Sequence, residues 1–180
     1  MPQAPTASWR SPRFRMALVA LLVVTTLATA ALLVWAITSR GEAEEVQSQR
    51  EEVMAAGEQF MLRKETFGPE QLNDEGAMPE YRERVEEVIT PKFSTSFEEQ
   101  AKVAEQLVAQ SGLESSVEVY STGVMTLDDD SAEVLAVGDT TFQFREAEPR
   151  TAPFRYQLSL VLTGGEWLVD GFEPASEALP

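Results

Sequence analysis

FRYQLSLVLTGGEWLVDGF, residues 154–172, decides the fold. Phe154, Tyr156, Leu158, Leu160 and Leu162 alternate with Arg155, Gln157, Ser159, Val161 and Thr163. A period of two puts the first set on one face of a strand and the second on the other. Gly164-Gly165 follows, and two residues tolerant of positive φ are what a two-residue hairpin turn requires. Glu166 to about Phe172 reads as the returning strand. Pro153 stands at the strand start, where its missing N–H breaks no interior ladder bond. Residues 174–180 read as a flexible tail.

Toward the N-terminus the same period recurs twice. Val117, Val119, Ser121, Gly123, Met125 and Leu127 alternate with Glu118, Tyr120, Thr122, Val124 and Thr126. Asp128-Asp129-Asp130-Ser131 makes a turn. Ala132–Phe144 is a second strand, with Val134, Ala136, Phe142 and Phe144 on one face, and Arg145–Thr151 is a polar loop. Four strands joined by short turns predict an antiparallel meander.

Before Val117 the period is 3.6. Phe97, Ala101, Ala104 and Val108 form the inner stripe of a helix from about Ser94 to Ser111, stopped by Gly112. Tyr81, Val85, Val88 and Ile89 predict a helix over Glu80–Thr90, with Pro79 in its first turn and Pro91 ending or kinking it. Residues 42–64 predict another, with Val46, Val53, Ala56, Phe60 and Met61 near one face. Val46, Val53, Phe60 and Phe67 also repeat every seven residues, but Gln49 and Arg63 interrupt the seam, so a core helix is favoured over a coiled coil. Phe67-Gly68-Pro69 breaks this helix, and Glu70–Met78 reads as a loop or short helical turn. Helices and strands are segregated, so the class is α+β, with three helices on the apolar face of a four-stranded antiparallel sheet. There is no internal repeat and no second domain in this pattern.

Ahead of the helices stands Met16–Thr38, MALVALLVVTTLATAALLVWAIT, without a charged residue. As a helix it would be roughly 34 Å long, enough for a hydrocarbon core of about 30 Å. Arg10, Arg13 and Arg15 precede it, in a tail (residues 1–15) free of Asp and Glu that reads as disordered; Glu42, Glu44 and Glu45 follow it. That asymmetry places the N-terminus in the cytoplasm and the C-terminal part, residues 42–173, outside. Phe14 and Trp35 fall near the two interfaces, and Gly41 suits a joint after the span. A cleaved signal peptide, with Ala28-Thr29-Ala30 as its site, is the competing reading; the apolar run continues past it through Leu32, Leu33, Val34, Trp35 and Ile37, which favours an uncleaved anchor.

All 30 acidic residues follow residue 40, against 10 of the 14 basic ones, so the outer part carries about −20. Such a surface excludes nucleic acid as a partner and disfavours lying on anionic lipid headgroups. The chain has no cysteine and no histidine, which removes disulfides, His-based acid–base chemistry, Ser-His and Cys-His nucleophiles and most zinc sites. Asn73-Asp74-Glu75 is not a glycosylation sequon. Asp128–Asp130 lacks the glycine and distal glutamate of a calcium loop. No phosphate-binding glycine loop is present. Asp139 and Asp170, with Tyr120 and Tyr156 as donors, are the nearest approach to a catalytic set, and both acids read as solvent-facing or near a strand end. Phe142, Phe144, Tyr156, Leu158 and Trp167 would line a lipid pocket if the apolar sheet face were open. The residues therefore predict no enzyme, no metal and no cofactor.

Five stretches carry a family likeness: Phe93-Ser94-Thr95-Ser96-Phe97, Ser121-Thr122-Gly123-Val124, Ala132-Glu133-Val134-Leu135-Ala136-Val137-Gly138-Asp139, Tyr156-Gln157-Leu158-Ser159-Leu160 and Gly165-Glu166-Trp167-Leu168-Val169-Asp170. In this order, behind a span, they make the chain resemble the Mce-associated membrane proteins of actinobacteria over about residues 16–173. The resemblance implies an extracytoplasmic NTF2-like, or SnoaL-like, cone tethered by residues 16–38. It also implies an accessory or stabilising role beside the subunits of an Mce-type lipid or sterol importer, with no catalytic residues to carry over. Thr66–Met78, interrupted by Gly and Pro, departs from the family pattern. A VirB8-like bitopic scaffold of a secretion or conjugation apparatus shares the same plan and is the alternative, with self-association as its requirement. A SnoaL-like cone enzyme would need a deep pocket around an ionisable group.

Overall fold

A computed structural model describes the backbone of residues 12–175 and the side chains of residues 16–30, 32 and 44–175. The elements are α1 (Pro12–Glu65), a 3-10 turn (Pro69–Gln71), α2 (Pro79–Glu86), α3 (Pro91–Ser111), β1 (Leu113–Leu127), β2 (Ser131–Phe144), β3 (Arg150–Thr163) and β4 (Glu166–Pro174). Two compact units divide the chain, Met1–Gln47 and Ser48–Pro180.

In the first unit the backbone is helical from Pro12, and it stays helical through Gly41, where the sequence suggested a joint. One glycine costs a helix only about 1 kcal/mol and removes no ladder bond. Leu18, Leu21, Leu22, Val24 and Leu27 are exposed. Among the described residues no helix is long and apolar enough to cross a membrane. The side chains of residues 31 and 33–38, part of the expected span, lie outside the described residues, as do the tails 1–11 and 176–180 and the rings of Phe14 and Trp35.

In the second unit the four strands form one antiparallel sheet in the order β1-β2-β3-β4, the expected meander. Gly164 and Gly165 turn the β3–β4 hairpin at φ +64° and +90°, a region that suits glycine. The helices cover one face. Gly57 of α1 sits so close to the sheet that a Cβ there would stand 3.2 Å from both Leu158 and Val134 side chains. Val53, Phe60, Phe97, Val134, Leu158 and Val169 are among the fully buried core residues. Val53 and Phe60 are therefore core positions, which settles the heptad in favour of a core helix, while Val46 is exposed.

Three sequence expectations need correction. First, α2 ends at Glu86, short of Thr90, because the backbone at 88–90 pairs with β4: Val169 N donates to Val88 O (3.0 Å) and Thr90 N to Val169 O (2.9 Å). Second, Pro91 opens α3 rather than ending a helix. Thr90 is the N-cap, its Oγ1 accepting from Phe93 N at 3.1 Å, and a proline in the first turn forfeits no intrahelical bond. Third, β1 does not alternate strictly. Register shifts between Val119 and Ser121 and between Val124 and Thr126 insert one residue each, and each insertion reverses which face the following side chains take. Thr122 and Val124 thus lie opposite the core residues Ala136 and Val134, whereas Tyr120 and Met125 are exposed.

Candidate functional site

The acids that sequence singled out are held in structural bonds. Asp139, on the sheet face away from the helices, accepts from Tyr120 Oη at 2.7 Å in an exposed position. Asp170 is the extra residue at a register shift in β4, since Ser159 pairs with Gly171 while Leu160 pairs with Val169. That bulge brings its carboxylate to the start of α3, where it accepts from Thr90 Oγ1 (2.7 Å) and Lys92 Nζ (2.5 Å). The Lys92 ammonium and the Thr90 hydroxyl hold its carboxyl below the usual carboxylate range. The two acids are therefore on separate features and do not form a pair.

The expected pocket residues do not share one environment. Leu158 and Trp167 are buried in the core, Phe142 and Tyr156 are half-buried, and Phe144 is 43% exposed at the end of β2. What the fold builds instead is an aromatic tier. Phe172 has its ring centroid 5.3 Å from Tyr156, 5.7 Å from Phe60 and 6.0 Å from Phe93; Tyr156 stacks on Phe154 at 5.4 Å. The β4 bulge makes this possible by returning Phe172 to the face of Val169. Lys64 Nζ stands 4.4 Å from the Phe172 ring centroid and 2.6 Å from Glu65, and both side chains of this pair are mostly buried. Burial, and then the Glu65 carboxylate, push the Tyr156 hydroxyl up. The Lys64–Glu65 ion pair against the Phe172 ring is a polar spot inside an apolar layer.

The end of α1 is also saturated with side-chain donors. Arg84 Nη2 donates to Arg63 O (3.3 Å) and Thr66 O (2.6 Å), Tyr81 Oη to Lys64 O (3.0 Å) and Ser115 Oγ to Glu65 O (2.7 Å). In return Arg63 Nη1 donates to Arg84 O at 2.9 Å near the end of α2 and pairs with Glu87. Two arginines thus cap each other's helix, where cations are favoured by unsatisfied carbonyls. Beside them lies a shallow cleft of about 540 Å³ lined by Gln59, Leu62, Arg63 and Thr66 of the α1 end and by Glu80, Glu83, Arg84 and Glu87.

A third cluster ties α2 to α3. Glu105, 7% exposed, accepts from Arg82 Nε (2.8 Å), Arg82 Nη2 (2.7 Å) and Met78 N (2.8 Å), and Arg82 also pairs with Glu98. The Arg82 guanidinium draws the Glu105 carboxyl down against the opposing effect of burial. Sequence reading missed Glu105, Arg82 and Lys64. For Glu105 a signal existed: it lies four residues after Ala101 and three before Val108, on the apolar stripe itself. Among the described residues no cluster of acids is arranged to hold a metal ion.

No family model matches the sequence, and no curated protein does. Solved structures do share its architecture. An IcmL-like type IV secretion system protein from Legionella pneumophila is 8% identical and superposes with a TM-score of 0.58, covering 73% of this chain and 96% of that one. The class is thus an α+β fold of helices on a four-stranded antiparallel meander, shared with that protein. Weaker likenesses are to the putative transfer protein TraH of the Gram-positive conjugative plasmid pIP501 (10% identity, 71% of this chain, 94% of that one, TM-score 0.48) and to an NTF2-like protein involved in plasmid conjugation (14% identity, 76% of this chain, 50% of that one, TM-score 0.42). None of these concerns an Mce-associated protein, so the sequence resemblance to that family gains no support from them.

Proposed function

We propose that the chain is a non-catalytic, single-span scaffold subunit of a secretion- or conjugation-type envelope assembly, its acidic NTF2-like cone outside the cytoplasm. The observation that carries the proposal is the fold likeness to the IcmL-like secretion protein along 96% of that protein's length. Three features support it. The candidate acids are bound to Tyr120, Thr90 and Lys92 rather than paired around a reaction site. Met16–Thr38 has no charge, and Arg10, Arg13 and Arg15 on one side with glutamates on the other orient it. Within it, Thr25, Thr26 and Thr29 donate their hydroxyls to carbonyls of the preceding turn, so these polar groups need no water in lipid.

The accessory role in Mce-type lipid import makes the opposite prediction about partners. Cross-linking the full chain in its native membranes, followed by denaturing purification and mass spectrometry, separates the two. Secretion or conjugation subunits are the expected adducts, with lipid uptake unchanged in a deletion strain. Adducts with Mce subunits, together with a lipid-uptake defect on deletion, would replace this reading with the other.

A further inference from the structure

The sheet loses a strand at one end. β3 is paired with β2 from Arg150 to Val161, whereas on its other side the last pair with β4 is Tyr156 with Pro174. One bond continues past that pair, since Ala175 N donates to Arg155 O at 2.9 Å. The last described residue is thus still in register with β3, although the sequence suggested a loose tail from Pro174 onward. From Arg150 to Phe154 nothing among the described residues pairs with this side of β3.

The Ala175 bond fixes the parity of the residues that follow it. Along the same ladder, Ala175, Glu177 and Leu179 turn their N–H groups toward β3, and the residues between turn theirs away. Pro174 and Pro180 both fall at the second kind of position, where a missing N–H breaks no bond to the sheet. The register carries Ser176 opposite Phe154, Glu177 opposite Pro153, Ala178 opposite Ala152 and Leu179 opposite Thr151. Phe154 is buried on the helix side and Arg155 is exposed on the other. The small Ser176 and Ala178 would therefore take the helix side, and Glu177 the outer side. There Glu177 lies diagonal to Arg155, at about 7–8 Å between Cα atoms. Arg155 has no ion-pair partner among the described residues. The acids on that face are farther off. Asp139, opposite Pro153 on β2 and bonded to Tyr120, is two strand spacings away, about 10 Å, and Glu173 is about 13 Å back along the strand.

We propose that residues 176–180 continue β4 along the open edge of β3, as a C-terminal strap that closes this side of the sheet next to the stacked Phe154 and Tyr156 rings. Pro153 costs the added ladder one bond, because it has no N–H to return to Glu177 O, while Thr151 and Leu179 exchange both. The strap occupies backbone groups that an uncovered edge offers to other chains. It does not depend on which envelope assembly the chain serves.

In this register Ala152 and Ala178 are a non-hydrogen-bonded pair with Cα atoms about 4.5 Å apart, within disulfide reach. The chain has no cysteine, so introduced pairs report without background. In the full chain in native membranes, mild oxidation should close the disulfide of Ala152→Cys/Ala178→Cys at least tenfold faster than that of Ala152→Cys/Pro180→Cys, which is two residues out of register on the same face. The Thr151 N–H faces the strap and the Ala152 N–H faces β2. Hydrogen exchange at Thr151 should therefore quicken at least tenfold in a chain ending at Ala175, with Ala152 unchanged. Equal closure of the two cysteine pairs, or Thr151 exchange that is indifferent to the truncation or matched by Ala152, would overturn the strap.

Discussion

Glu105 is the side chain whose loss should be felt most. It is 7% exposed, and its carboxylate binds both the Arg82 guanidinium and the Met78 amide. Glu105→Ala leaves an arginine partly buried beside one remaining partner, Glu98, and should cost about 3–5 kcal/mol in urea or thermal unfolding. Asp170→Asn removes the charge that Lys92 and Thr90 address and should cost about 1–2 kcal/mol. Both carboxyls are depressed in the folded state. Their contribution is therefore complete above the ordinary carboxylate range near 4, and is lost as pH falls through the lower folded values. Melting temperatures measured from pH 7 to pH 2.5 should drop on the acid side, and the drop should be shallower in Glu105→Gln, whose pH 7 stability is already reduced. Of these residues, Glu105 could be seen in the sequence as an acid on an apolar stripe. Its partner could not, because Arg82 is brought to it by the packing of α2 against α3.

The elements depend on glycines where backbones approach closely. A Cβ at Gly138 of β2 would lie 2.1 Å from Glu118 O across the ladder and 2.8 Å from the Phe154 ring. Gly138→Ala forces backbone as well as side-chain movement and should destabilise by about 2–3 kcal/mol, measured by chemical denaturation. Gly57→Val, against Leu158 and Val134, should cost about 1–3 kcal/mol by overpacking the α1–sheet contact. Helices and strands were legible from their periods, as were the Gly164-Gly165 turn and the Gly112 stop. The bulges were not. Val117–Leu127 contains two inserted residues, and alternation read along one strand cannot show that its neighbour, β2, has none opposite them. The same holds at Asp170, where the insertion moves both a carboxylate and the Phe172 ring to their working positions.

At the scale of the whole molecule, charge is the property with the longest reach. The net charge is −16, with all the acid on the C-terminal side of residue 40. If residues 16–38 span the membrane as proposed, Ser8→Cys should be protected from an impermeant maleimide in intact cells and Glu173→Cys should react. Reaction of both, or a mature chain lacking residues 1–30 by mass spectrometry, would remove the anchor. The class of fold, the strand order, the apolar run and the acidic surface were all legible in the chain before folding, because each depends on the local order of apolar, charged and turn residues. Which side chains form sites emerged only on folding: the Lys64–Glu65 pair under Phe172, the Arg63–Arg84 caps and the Glu105 clamp. These join residues far apart in the chain, and their geometry is set by close packing and by register, which no local pattern encodes.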